Sequence, residues 1–257
     1  MTWRYVGGFA VGTSHVEAQK PCQDRCACSV AHSRDGGDVL VTVLSDGAGS
    51  AHHSERGAEV VCETLSELAS GEVAECSDLD RVADERIRSW FLSARERLRI
   101  LARGTETEIR DYAATALLAV VSEHQALCAR IGDGGIVLRR APGTPFEVAI
   151  WPEAGEYANQ TYFITDDAVA ERIAIRRFDD VYDVVAFSDG LQHLALEHAT
   201  RSAYEPFFAP LVRTVRAGGE SNGELQTSLV AYLNSAAVNG RTDDDKSLVI
   251  GCRMDAA

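Results

Sequence analysis

Two runs of mainly apolar residues predict strands that are buried on both faces. They occupy residues 39–45 and 181–187, and both are rich in valine. Shorter alternating or β-branched segments predict further strands at residues 3–12, 26–31, 112–122, 126–131, 136–140, 146–150, 173–178 and 247–252. The glycine-rich stretch 35–38 predicts a hairpin turn into the first of the two buried runs.

Helical periodicity appears in separate blocks, one before the middle strands and one after them. The predicted helices span residues 54–70, 79–103, 191–196, 205–216 and 225–236. We expect Ser54 to cap the first of these helices and Gly71 to end it. The polar stretches 13–25 and 151–167 are predicted to be loops, and we expect the second to border the functional site.

The composition is that of a globular chain with an acidic surface. Of 257 residues, 46% are hydrophobic and 25% charged, without repeats or low-complexity tracts, so we expect residues 1–257 to form a single domain. The formal net charge of −14 argues against nucleic acid and anionic membranes as partners. Seven irregularly spaced cysteines, with no signal peptide or membrane-spanning stretch, predict reduced thiols in a cytoplasmic protein.

Acidic residues stand where the predicted strands end. Asp46, Asp133 and Asp189 are each followed by glycine, and Asp244 precedes the last strand. A hairpin turn is an alternative explanation for each of them alone, strongest for Asp133 because a strand follows it directly. Converging carboxylates repel one another unless a metal ion lies among them, and oxygen ligands suit Mg²⁺ or Mn²⁺. Gly47 lets the backbone approach closely, so that its carbonyl can be a further ligand.

These motifs, in this order, resemble those of the metal-dependent protein phosphatases of the 2C type, in a compact bacterial-like form. The matching segments are residues 21–24, 43–50, 114–116, 129–134, 186–191 and 244–248. Each motif alone is weak, but their order and their positions at strand ends are specific. The resemblance implies an α+β fold, a four-layer αββα sandwich in which two antiparallel sheets are flanked by helices.

The resemblance also implies the ligands of the metal ions. Asp46 would bridge two ions, Mn²⁺ or Mg²⁺, and the Gly47 carbonyl would bind one of them. A third ion is held in the family by the residue that matches Asp133. The remaining ligands implied are Asp24, Asp189 and Asp244. Whether Asp244 or its neighbour provides the last ligand stays open, because a shift of one residue in the match exchanges them.

The chain departs from the family at three positions that bear on catalysis. No arginine precedes Asp24 at the place where the family has its phosphate-binding arginine; Lys20 is the candidate for that contact, with His15 nearby. Gln23 replaces a glutamate, which weakens the case for the second metal ion. Ala48 occupies the position of a histidine that is proposed as general acid in some members.

The implied function is hydrolysis of phosphoserine and phosphothreonine in proteins by metal-activated water, without a covalent phosphoenzyme. Asp46, Asp24 and Lys20 are the expected catalytic residues. The expected partner is a phosphorylated protein, such as the product of a serine/threonine kinase in a signalling pathway, and we expect a monomer. Two alternatives stay open: a catalytically weak or inactive domain that binds phosphoproteins, and a metal-dependent phosphoesterase that acts on small molecules.

Overall fold

The computed structural model of the chain describes residues 2–76, 78–152, 161–218 and 221–254. In chain order the strands are β1 (Thr2–Ala10), β2 (Arg25–His32), β3 (Asp38–Ser45), β4 (Ala116–Val121), β5 (Gln125–Ile131), β6 (Gly135–Arg139), β7 (Glu147–Ile150), β8 (Ala174–Asp179), β9 (Asp183–Phe187), β10 (Leu196–Glu197), β11 (Ser202–Ala203) and β12 (Lys246–Met254). The α-helices are α1 (Thr13–Glu17), α2 (Ser54–Glu75), α3 (Asp84–Gly104), α4 (Val169–Arg172), α5 (Gln192–Ala195), α6 (Glu205–Ala217), α7 (Asn222–Leu233) and α8 (Ala236–Asn239).

Two five-stranded antiparallel sheets form the centre of the molecule. Their strand orders are β1-β12-β9-β6-β7 and β2-β3-β4-β5-β8, while β10 and β11 make a small separate pair. The first sheet joins the two ends of the chain, because β1 pairs with β12 along its whole length. The pairing therefore places residues from the start and the end of the chain at the same edge of one sheet.

The buried apolar runs are continuous because each central strand packs on two layers at once. In β3, Val39, Val41 and Val43 pack against the helices outside the sheet, whereas Leu40 and Leu44 face the second sheet. The same alternation holds in β4 and β9, whose residues divide between an outer core and the core between the sheets. A period of two with apolar residues on both faces is the pattern that sheet-on-sheet packing under helices requires.

Helices cover the outer face of each sheet. The apolar faces of α2 and α3 pack on the β2-β3-β4-β5-β8 sheet, and those of α6 and α7 pack on the other. In α7, Leu225, Leu229 and Leu233 are buried as their spacing of four residues predicts. The four-layer αββα sandwich predicted from the resemblance is confirmed.

Several predicted element bounds are wrong. The stretch 13–25, predicted as a loop, begins with helix α1. Gly71 does not end α2, which continues to Glu75 because Val73 is still buried in the outer core. Ser54 is the first residue of α2 rather than its cap; its hydroxyl donates to the carbonyl of Ala51 at 3.5 Å.

Two predicted elements are each divided in the structure. The helix predicted at 79–103 becomes a 3₁₀ turn, Leu79–Arg81, followed after a short break by α3. The strand predicted at 112–122 is shortened to β4, because a 3₁₀ turn, Ile109–Tyr112, precedes it. Of the loop predicted at 151–167, residues 153–160 lie outside the described residues.

No helix in the described ranges combines the length and the apolar character needed to cross a membrane. The seven cysteines all lie in those ranges and are free thiols. Burial raises the pKa of the Cys28 and Cys128 thiols to about 12, so both groups are protonated at neutral pH.

Candidate active site

Antiparallel pairing brings the acidic residues to one end of the sandwich. Strand β2 begins beside the end of β3, since Arg25 pairs with Ser45, and this makes Asp24 and Asp46 neighbours. The start of β4 lies beside β3 in the same way, and the Thr115 amide donates to the carbonyl oxygen of Asp46 at 2.8 Å. The three segments thus meet where the buried strand β3 ends.

The other sheet contributes acids at the same end. Strand β12 begins beside the end of β9, since Leu248 pairs with Phe187, and this brings residue 244 towards Asp189. Strand β6 also begins beside the end of β9, which brings the turn containing Asp133 to the same place. One carboxylate oxygen each from Asp46, Asp133 and Asp189 lies within 4.8 Å of the other two.

Asp24 lies behind this cluster and is completely buried. Neither of its carboxylate oxygens has a hydrogen-bond partner among the described residues, and the Oδ1 atom of Asp189 is equally unpartnered. A buried carboxylate without donors is costly unless a cation approaches it. These unpartnered oxygens therefore fit a bound cation, and the acidic donor set fits a hard divalent ion.

Thr115 and Gly47 hold the Asp46 segment in place. The Thr115 hydroxyl accepts a hydrogen bond from the Asp46 amide at 3.0 Å, and the Ser45 hydroxyl donates to the Thr115 carbonyl at 2.6 Å. A β-carbon at position 47 would lie 2.7 Å from the carbonyl oxygen of Ser54, so only glycine fits against the start of α2. The predicted glycine is thus required for packing, besides leaving its carbonyl free to approach an ion.

The structure separates the two acids at the start of β12. Asp244 is exposed and lines the cleft above the cluster, whereas Asp245 is buried and does not line it. The Asp245 carboxylate accepts hydrogen bonds from the amides of Gly12 at 2.6 Å and Gln23 at 2.5 Å. Of this pair only Asp244 lines the cleft, and Asp245 holds two loop segments together.

The two basic candidates, Lys20 and His15, differ in whether they line the cleft. Lys20 is exposed, does not line the cleft, and donates from its Nζ to the carbonyl of Gly49 at 3.1 Å. Gly49 itself lines the cleft, so the ammonium group of Lys20 lies next to the cleft lining but is not part of it. We call this part of the lining the Gly49 rim. His15 does line the cleft, although the sequence marked it only as a residue close to the first acids.

The cleft over the cluster has a volume of about 160 Å³. Its described lining contains no lysine or arginine, and His15 is its one basic side chain. Thr161, which follows the undescribed segment, lines the cleft and donates a hydrogen bond to Asp133. The described lining of the cleft therefore carries more acidic than basic side chains, which suits a site for divalent ions.

Burial and mutual repulsion displace the pKa values of these acids upward. Burial raises the pKa of Asp24 to about 7 and that of Asp189 to about 6. The pKa of Asp46 is raised well above its ordinary range by burial and then by the nearby charges of Asp24 and Asp189. Burial also raises the pKa of Asp133, while its bond with Thr161 partly offsets that rise. Together these shifts mean that the metal-free cluster retains protons at pH values where isolated carboxylates are ionised.

We expect the metal-free protein to lose stability as the pH rises from about 4 to about 7. The folded chain binds more protons than the unfolded chain in that range, because the pKa values of Asp24 and Asp189 are raised on folding, so its free energy of unfolding falls through it by a few kcal/mol. Thermal unfolding in a chelator, repeated with Mn²⁺ at pH 7, measures this. A melting temperature that rises through this range without metal would contradict the carboxylate cluster as the cause.

A larger groove of about 640 Å³ lies at the other end of β3, lined by residues of the β2–β3 turn and by Trp3. Among the described residues, no group of three or more potential metal ligands other than the Asp46, Asp133 and Asp189 cluster is close enough to hold an ion. The carboxylates whose pKa values are raised by burial belong to the smaller cleft: Asp46, Asp133 and Asp189 line it, and Asp24 lies behind them. The chemistry therefore lies there rather than in the more spacious groove.

Comparisons with known proteins agree with this assignment of the site. The sequence profile of the family described as Protein phosphatase 2C matches residues 11–234. The Serine/threonine-protein phosphatase 3 of Escherichia coli (strain K12) is 36% identical over 257 residues, covering 97% of this chain and 98% of that protein. The family profile spans every strand-end motif except the terminal one at residues 244–248.

Solved structures share the architecture at lower sequence identity. A bacterial serine phosphatase superposes with a TM-score of 0.63 at 15% identity, over 100% of both chains. The serine/threonine phosphatase Stp1 from Staphylococcus aureus superposes with a TM-score of 0.61 at 16% identity, over 99% of this chain and 96% of that one. At this identity the likeness establishes the fold, and the family assignment rests on the sequence matches.

Proposed function

The chain belongs to the protein phosphatase 2C family, and we infer that it hydrolyses phosphoserine and phosphothreonine in proteins with water activated by divalent metal ions. The observation that carries this inference is the convergence of Asp46, Asp133 and Asp189 within 4.8 Å, without a lysine or arginine among the described residues that line the cleft. Such a cluster in a phosphatase family is suited to hold the ions that the reaction needs.

The residues that would hold the ions follow from their positions. Asp46 would be central to ion binding because a carboxylate oxygen of it lies within 4.8 Å of those of Asp133 and Asp189, and because strand pairing makes it a neighbour of Asp24. Asp189 and Asp244 line the cleft beside it, and the Gly47 carbonyl is a further ligand. A third ion would lie at Asp133, after its hydrogen bond with Thr161 is exchanged.

Bound divalent ions would lower the pKa of water and offset the charge of the phosphoryl oxygens. The side chains and backbone of the protein hold the carboxylate cluster in place. Thr115 fixes the backbone of Asp46, and the completely buried Asp24 supports the cluster from behind. Lys20 adds positive charge behind the Gly49 rim, where a phosphoprotein would enter. No covalent phosphoenzyme is needed.

Finer properties are part of the same proposal. We assign Mn²⁺ or Mg²⁺, two per site with a third at Asp133, because the donors are carboxylate oxygens. The substrate is a protein phosphorylated by a serine/threonine kinase in a signalling pathway.

Residues 1–257 act as one domain around a shared core, and a cytoplasmic location suits seven free thiols. A monomer suits a surface whose described large exposed apolar side chains are few, namely Val16, Leu92, Ile100 and Tyr204.

The test is an assay of the purified chain with phosphothreonine and phosphoserine peptides and with small phosphate monoesters. Each substrate is assayed with Mn²⁺, with Mg²⁺ and with a chelator. We expect turnover of the peptides that needs a divalent ion. Binding of phosphopeptide without turnover would indicate an inactive binding domain, and turnover of small esters alone would indicate a small-molecule phosphoesterase.

A further inference from the structure

His15 occupies a position in the cleft that no part of the metal site uses. It lies on α1, its side chain is mostly buried, and it lines the cleft together with Asp46, Asp189 and Asp244. Helix α1 is anchored to a segment near the C-terminal end of the sequence, because the Ser14 amide donates a hydrogen bond to the carbonyl of Asp243 at 3.0 Å. The imidazole is therefore held over the acid cluster by an element that is itself anchored.

Asp245 orients the imidazole ring. Its Oδ2 atom lies 2.9 Å from Nδ1 of His15 and also accepts the Gln23 amide at 2.5 Å, while Oδ1 accepts the Gly12 amide at 2.6 Å. This carboxylate is almost completely buried, so three donors fix it in place. With Nδ1 engaged, Nε2 is the ring nitrogen without a hydrogen-bond partner among the described residues.

We propose that His15 is the general acid of the reaction, giving the proton on Nε2 to the serine or threonine oxygen as that oxygen leaves phosphorus. This proposal rests on the proposed phosphatase function. A histidine oriented by a buried carboxylate is a recurrent arrangement for proton transfer, because the carboxylate holds the ring and compensates its charge when both nitrogens are protonated. It also supplies the donor that Ala48 cannot provide.

The proton balance of the step is complete. The oxygen of water bonds to phosphorus while the bond from phosphorus to the serine or threonine oxygen breaks. That oxygen takes the proton from Nε2 of His15 and leaves as the alcohol. The attacking water retains one proton on the new phosphate and releases the other to solvent, from which His15 is reprotonated. No other reactant is required.

The other histidines near this end of the chain are less suited to the role. His52 is exposed, and His53 stacks on the ring of Tyr112 at 5.3 Å between centroids. Neither lines the cleft. The Nζ atom of Lys20 donates a hydrogen bond to the Gly49 carbonyl, and Lys20 does not line the cleft. Of the described proton donors in this region, His15 alone combines a free ring nitrogen with a place in the cleft.

The test compares the wild type with His15→Asn on leaving groups that differ in their need for a proton. The substrates are a phosphothreonine peptide, a phosphotyrosine peptide and p-nitrophenyl phosphate. A departing alkoxide needs protonation most, a phenolate of pKa about 10 less, and p-nitrophenolate least. We expect kcat for the phosphothreonine peptide to fall by roughly 10²-fold or more, and kcat for p-nitrophenyl phosphate by less than about tenfold.

Controls separate catalysis from structure. His52→Asn, the same change at an exposed histidine, is expected to leave all three rates unchanged. Manganese binding measured by calorimetry and the melting temperature are expected to match the wild type in His15→Asn. If His15→Asn is less stable, His15→Ala assayed with added imidazole gives a second measurement, in which recovery of phosphothreonine turnover supports the role and its absence contradicts it.

Two further outcomes would overturn the proposal, and they differ from each other. An equal fractional loss on all three substrates, or no loss on any, would remove His15 as the general acid while leaving the phosphatase function intact. A wild-type enzyme without metal-dependent turnover of any substrate would overturn the proposed function and the role of His15 with it.

Discussion

Asp46→Asn is expected to abolish metal-dependent phosphatase activity while leaving the fold intact. The contribution of the metal ions to charge stabilisation is worth several kcal/mol, so the rate should fall on the order of 10³-fold or more. The fold should survive because the segment is held by backbone atoms: the Asp46 amide and carbonyl bond to Thr115, and asparagine leaves both in place. Phosphopeptide turnover with Mn²⁺ measures the loss of activity, and calorimetry measures the loss of metal binding.

The same substitution should make the metal-free protein more stable at neutral pH. It removes one of the mutually repelling carboxylates whose burial and charge raise the pKa values of Asp46, Asp24 and Asp189. Added Mn²⁺, in contrast, should no longer raise its melting temperature, because an ion stabilises only the folded state that binds it. The control is Asp167→Asn at an exposed position, for which we expect normal activity and normal metal response. A normal rate for Asp46→Asn with Mn²⁺ present would refute the assignment of the site.

The sequence predicts the central layers well because their pattern has a physical cause within each strand. Strands β3 and β9 are apolar at successive positions since one set of side chains faces helices and the other faces the second sheet. Asp46 and Asp189 could be recognised for the same reason: a carboxylate ending a buried strand needs a partner. Local pattern and tertiary role agree at these positions.

Other parts of the structure depend on contacts that no local pattern encodes. Helix α1 has only five residues, and Ser14 is held by Asp243, which is 229 positions away. Gly71 costs about 1 kcal/mol relative to alanine within a helix, yet burial of Val73 in the following turn of α2 offsets that cost.

The role of His15 belongs to the same group. The orientation of its ring comes from Asp245, near the opposite end of the sequence. The two residues come together only because β1 pairs with β12. The sequence does show that a histidine stands close to the first acids, but nothing there indicates which nitrogen is engaged. The metal ligands were foreseeable as strand ends, whereas a proton donor on a short helix was not.

Asp183→Ala is expected to be the most destabilising single substitution away from the active site, by about 3–5 kcal/mol. Asp183 is completely buried at the end of the sheet opposite the acid cluster. Its Oδ2 accepts a hydrogen bond from Nε of Arg139 at 2.6 Å and forms an ion pair with Nη2 of the same arginine at 2.5 Å, and its Oδ1 accepts a hydrogen bond from Arg216. Removing the carboxylate leaves two partly buried guanidinium groups facing each other without their shared counter-ion.

Chemical denaturation of Asp183→Ala, compared with Asp167→Ala, distinguishes this buried triad from an ordinary surface ion pair. Asp167 also pairs with an arginine, Arg95 at 2.7 Å, but it is fully exposed, and its loss should cost less than about 1 kcal/mol. At low temperature the folded fraction of Asp183→Ala should still bind Mn²⁺ with the wild-type affinity, since the triad lies far from the cluster. Equal, small losses in the two variants would show that the arginines find other partners. Stability and catalysis are thus expected to depend on different aspartates at opposite ends of the same sheets, with Asp46→Asn and Asp183→Ala having opposite effects on the metal-free protein.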